Sequence, residues 1–81
     1  MDGASLYRAM LLGMRIQALQ SEHNIWLCPN IVQTVAGYTA TLSVPTDSRW
    51  PELTEIETDT LPEMLDALIS EVDKIRQRER Q

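Results

Sequence analysis

Residues 37–44 read Gly37-Tyr38-Thr39-Ala40-Thr41-Leu42-Ser43-Val44. Tyr38, Ala40, Leu42 and Val44 alternate with Thr39, Thr41 and Ser43, and a period of two sends successive side chains to opposite faces of a strand. An apolar row backed by a hydroxyl row describes a half-buried antiparallel strand. Ala36-Gly37 is a workable hairpin turn into it, so a partner strand is expected just before.

Upstream, Asn24-Ile25-Trp26-Leu27-Cys28 and Ile31-Val32-Gln33-Thr34-Val35 look extended, with Pro29-Asn30 between them as a turn or bulge. They read equally as two strands or as one broken strand. Trp26 and Cys28, placed in a strand, are expected in the core, Cys28 as a small buried hydrophobe rather than a thiolate. Downstream, Pro45 to Pro51 is a loop that carries Arg49-Trp50. Residues 53–58 then alternate again. Thr54, Ile56 and Thr58 share one face and Leu53, Glu55 and Glu57 the other, and acids on a short strand suit a sheet edge.

Helices flank this block. Thr60-Leu61-Pro62-Glu63 forms a capping box with proline in the first turn. After it Leu61, Met64, Leu65, Leu68, Ile69, Val72 and Ile75 fall on one face. Glu71–Lys74 and Asp73–Arg76 are spaced for i,i+3 pairs. Residues 4–22 form the first helix. At about 100° per residue, Arg8, Arg15 and Glu22 make one narrow stripe, because seven residues nearly complete two turns. Ala9, Leu12, Ile16 and Leu19 lie on one flank of it, and Leu6, Tyr7, Met10, Leu11, Met14 and Ala18 on the other. A helix resting on one sheet needs an apolar stripe only about 100° wide, and this one is roughly twice that. Gly13 inside it lowers helix propensity, which suggests close approach of a neighbour. The expected architecture is α+β: an N-terminal helix, a two- to three-stranded antiparallel sheet and a C-terminal amphipathic helix, in one domain over residues 1–81.

The 81 residues carry a net charge of −5, unevenly spread. Residues 1–46 balance Asp2 and Glu22 against Arg8 and Arg15. Residues 47–73 hold nine acids against Arg49, a local −8, and residues 74–81 return +3. An acidic middle repels phosphate and attracts basic surfaces, so direct nucleic-acid binding is not expected. Asp2 and Arg8 interrupt any secretory signal pattern, and no run reaches the ~18 apolar residues that span a bilayer. Together with a single cysteine, this points to a cytoplasmic protein that does not engage membranes.

Catalytic chemistry is sparse. His23 is the one imidazole, at the end of the first helix, and reads as a helix-terminal cation. Gly3, Gly13 and Gly37 are scattered, so there is no glycine-rich phosphate loop. One Cys and one His cannot build a zinc finger. The expectation is no enzyme, no cofactor and no metal site.

Three features fit binding instead. Asp47, Glu52, Glu55, Glu57, Asp59, Glu63 and Asp66 form an acidic band suited to an arginine-rich site on a nucleic-acid-handling protein. Arg49 and Trp50 are residue types that anchor interfaces, although Trp50 folding back to cap the small core is the preferred reading of that side chain. Leu6, Tyr7, Met10 and Met14 offer a helix surface for a homodimer or a protein partner.

The stretch from Gly37 to Ile75 resembles the amino-terminal part of HicB-type antitoxins. Gly37-Tyr38-Thr39-Ala40 opens a strand, and Thr60-Leu61-Pro62-Glu63 opens a helix with Leu65 and Leu68. The resemblance covers about half the chain and implies neutralisation of a small toxin nuclease by direct binding; the long helix ahead of the strands departs from it. The helix–strands–helix order is also similar to double-stranded-RNA-binding domains. Glu63 and Asp66 stand where that family has lysines, so RNA binding does not carry over. The leading expectation is an inhibitor or adaptor that occludes a partner surface, of the kind a phage or other mobile element uses against host defence. The antitoxin-like neutraliser is the alternative.

Overall fold

The computed structural model describes residues 2–43 and 54–80. Helix α1 spans Gly3–His23, strands β1, β2 and β3 span Cys28–Thr34, Gly37–Ser43 and Thr54–Thr58, and helix α2 spans Leu61–Arg80. The strands form one antiparallel sheet in the order β1-β2-β3. The fold is the expected α+β architecture with three strands.

Each boundary has a local cause. Asp2 caps α1, its Oδ1 accepting the Ser5 N–H at 2.7 Å, which satisfies a donor that the first helical turn leaves over. Asn24 ends α1 in the left-handed region at φ 56°, its N–H bonded to Gln20 O at 3.0 Å. That reversal drops Ile25 into the core at 1% exposure. Thr60 caps α2, its Oγ1 accepting the Glu63 N–H at 3.4 Å.

The hairpin differs from expectation by one residue. Thr34 pairs with Gly37, so the loop is Val35-Ala36 and Gly37 opens β2. Neither loop residue takes a positive φ, whereas Gly37 sits at +141°. A primed hairpin turn would place positive φ inside the loop; here it falls on the glycine that follows. A Cβ on Gly37 would stand 2.4 Å from Thr58 O and 3.0 Å from Asp59 Cα, so glycine is required for conformation and for space.

The core joins α1, α2, the 24–27 segment and one sheet face. Leu12, Leu19, Ile25, Leu27, Ala40, Leu42, Met64, Leu65, Leu68, Val72 and Ile75 are buried in it. The alternation in β2 holds, with Ala40 and Leu42 buried and Tyr38 packed against them. Register carries the same face across the sheet, where Tyr38 lies beside Thr58 and Ala40 beside Ile56. Helix α2 packs on β2 and β3, while α1 packs chiefly on α2. The sheet is therefore covered mainly by α2.

That arrangement leaves β1 uncovered. All seven of its residues are exposed, which corrects three readings. Pro29-Asn30 is no turn: one strand runs through it, because an outer strand can direct the missing proline N–H away from its partner. Cys28 is exposed, not a buried hydrophobe. Trp26 lies ahead of the strand and is 52% exposed, its Nε1 donating to Asn24 Oδ1 at 3.3 Å. Gly13 is corrected as well, since nothing within the fold lies within 4 Å of its Cβ position.

Candidate functional site: a polarised surface

The two helices run parallel and are laced by charge. Arg8 Nε donates to Asp66 Oδ1 at 2.9 Å and Arg15 Nη1 to Asp73 Oδ1 at 3.4 Å. Further along, Arg76 grips Glu22 through Nε at 3.1 Å and Nη2 at 2.5 Å. This two-pronged contact holds the Arg76 guanidinium above its ordinary pKa through its hydrogen bonds to the Glu22 carboxylate. The Arg8–Arg15–Glu22 stripe seen in the sequence is thus the seam facing α2. Asp73 and Arg76 each take a partner on α1 rather than closing the expected i,i+3 pair, whereas Lys74 and Glu71 do pair, at 3.2 Å.

This seam divides the acidic band. Asp66 is spent on Arg8. Glu55, Glu57, Asp59 and Glu63 remain exposed, and none of the four has an ion pair among the described residues. Glu55 and Glu57 lie in β3 opposite Thr41 and Thr39 of β2, on the sheet face turned away from the helices. Glu57 and Asp59 line one depression with Thr34, Ala36, Tyr38, Thr39 and Thr58. Glu63 stands in the first turn of α2, where a carboxylate complements the helix dipole. The surviving acids therefore follow the chain around the corner from β3 into α2, with Glu55 and Glu57 on the sheet face away from the helices and Glu63 on α2 itself. Asp47, Glu52, Arg49 and Trp50 lie outside the described residues.

The opposite flank is apolar. Leu6, Tyr7, Met10 and Met14 are 54–63% exposed, while Leu12 and Leu19 across the helix are buried. The surplus width of the apolar stripe is thus left at the surface. Trp26, Ile31, Val32 and Val35 add exposed apolar area along β1. Residues 24–46 contain no Asp, Glu, Lys or Arg, and exposed apolar surface free of charge marks contact surfaces more often than chance.

His23 ends α1 with its Nε2 buried and without a hydrogen-bond partner. Among the described residues, no three His, Cys, Asp or Glu side chains gather as a metal ion would require. No helix among them is long and apolar enough to cross a membrane. Compared with known proteins, the chain matches no family model, no curated protein and no solved structure.

Proposed function

We propose that this protein acts without catalysis, as an inhibitor or adaptor that binds a basic protein partner and occludes its working surface. The observation that carries the reading is the division of charge. Both α1 arginines are engaged by α2 carboxylates, while Glu55, Glu57, Asp59 and Glu63 stay exposed between β3 and the start of α2. Carboxylates carried by a strand and a helix start offer negative charge that can stand in for phosphate on a basic surface. A partner that handles nucleic acid through arginines is the complementary surface. An anti-defence protein of a phage or other mobile element is the biological setting in which such occlusion is useful.

The test is capture of partner proteins from host cells by the tagged wild type and by a Glu55→Lys/Glu57→Lys variant. The reading expects basic partners that release as salt rises and are lost with charge reversal. Equal capture by a folded charge-reversed protein contradicts it.

One observation favours a second reading, the antitoxin-like neutraliser. The two motifs of that resemblance meet in space, since Gly37 abuts Thr58 and Asp59 just ahead of the Thr60 cap. Restored growth on co-expression with a toxin nuclease of that family is its expected signature. Continued growth arrest with soluble protein present removes it.

A further inference from the structure

We propose that α1 is the two-fold interface of a homodimer, packed antiparallel on α1 of a second copy, with Met10 of each laid over Gly13 of the other. This goes beyond the proposed function and uses a different surface, so the two stand or fall separately.

The first observation is charge. Within α1 the charged residues are Arg8, Arg15 and Glu22, and each is paired with α2. At about 100° per residue, the side of the helix away from that stripe carries Leu6, Met10, Gly13 and Gln17, with Tyr7 and Met14 beside them. A chain of net charge −5 repels its own copy over most approaches. Across this face two copies meet without like charges. A strongly basic partner is drawn instead to the acidic corner.

The second observation is Gly13. It sits in the middle of a 21-residue helix, where glycine lowers helix propensity. Nothing in its own fold comes within 4 Å of its Cβ position, so packing inside the protomer does not account for it. A glycine in an exposed helix face lets another backbone or a large side chain approach closely.

The third observation is spacing. Leu6, Met10, Gly13 and Gln17 follow one another at intervals of four, three and four residues, the seam along which two helices interlock. That interval pattern reads the same in both directions. A two-fold axis midway between Met10 and Gly13 sets Leu6 against Gln17 and the bulky Met10 against the bare Gly13. Large against small is the fit a self-complementary interface requires. The exposed methionines suit it because a flexible thioether side chain fills an irregular hollow.

The experiment is molar mass by sedimentation equilibrium across a wide concentration range, on the full chain without any partner. Wild type is compared with Met10→Glu and Gly13→Leu. The second variant has room in the protomer and raises helix propensity, so it separates loss of assembly from loss of folding. The proposal expects a concentration-dependent dimer, weakened at least about tenfold in both variants, as a central contact position is, with helix content retained. A wild type that stays monomeric throughout overturns it, and so does a Gly13→Leu protein that dimerises as tightly as wild type.

Discussion

Arg8 and Asp66 lie 58 positions apart in the chain, yet their side chains meet at 2.9 Å, and the contact recurs one heptad later between Arg15 and Asp73. Equal sequence separation at both contacts means that α1 and α2 advance side by side in the same direction. The seam does two things at once. It fixes how α1 sits on α2, and it gathers α1's charged side chains on the side facing α2, leaving that helix with an uncharged outer face.

These pairs are partly exposed, with side-chain exposures of 31% and 60% for Arg8 and Asp66. Their coupling is therefore small. A double-mutant cycle of Arg8→Ala and Asp66→Ala is expected to give ~0.2–1 kcal/mol and to shrink as salt is raised. The Arg76–Glu22 contact, with two hydrogen bonds and less exposed partners, is expected to couple more strongly. Equilibrium urea unfolding of the two cycles measures both.

Leu68 is fully buried between the helices and the sheet. Truncation to Ala is expected to cost ~2–5 kcal/mol, against the ~3–5 kcal/mol that one small core supplies. Leu68→Ala is therefore expected to unfold largely at room temperature, read by loss of the helical circular dichroism signal.

Two glycines are expected to respond in opposite directions to the same substitution. Gly37→Ala must place a Cβ against Thr58 O at a φ of +141°, a strain of ~1–3 kcal/mol or more. Gly13→Ala meets open space and gains up to ~1 kcal/mol of helix propensity in the separated protomer. Thermal unfolding at low protein concentration should lower the midpoint for the first and raise it for the second.

Asp2 titrates below its ordinary value of 3.8 because its carboxylate accepts the Ser5 N–H. A depressed folded-state pKa means that the cap's contribution is fully present above 3.8 and is lost as pH falls through the lower folded value. The Ser5 amide resonance is expected to follow that titration in the wild type. In Asp2→Asn the same resonance should stay flat over that range.

Exposure at the start of β1 has a chemical consequence. Cys28 is free and exposed, so a disulfide reagent is expected to label it in native buffer nearly as fast as in denaturant. Slow labelling that speeds up on unfolding would restore the buried reading.

Much of this fold is legible in the residues. The period of two in 38–43 and 54–58, the helical period of 61–75 and the Thr60 cap were each readable, because each is a local pattern set by one face of one element. What stayed illegible is how the elements sit on one another. Trp26 and Cys28 alternate with Ile25 and Leu27, which are buried at 1% and 6% exposure; all four residues are apolar, so the sequence did not tell which pair would take the core side. Gly13 suggested close approach of a neighbour, yet nothing in the protomer comes within 4 Å of its Cβ position. The acidic band looked continuous, whereas Asp66 is consumed by Arg8. The matching seven-residue spacings of Arg8 with Arg15 and of Asp66 with Asp73 were the available signal for that seam.

The central claim is that the acidic corner takes the place of nucleic acid on a basic partner. Its most direct measurement is displacement: a captured partner is loaded with a fluorescent oligonucleotide and titrated with the protein, while the oligonucleotide's anisotropy is followed. The account expects the wild type to release the oligonucleotide, and Glu55→Lys/Glu57→Lys to release markedly less at equal concentration. A ternary complex, in which the partner holds protein and oligonucleotide together, would contradict it.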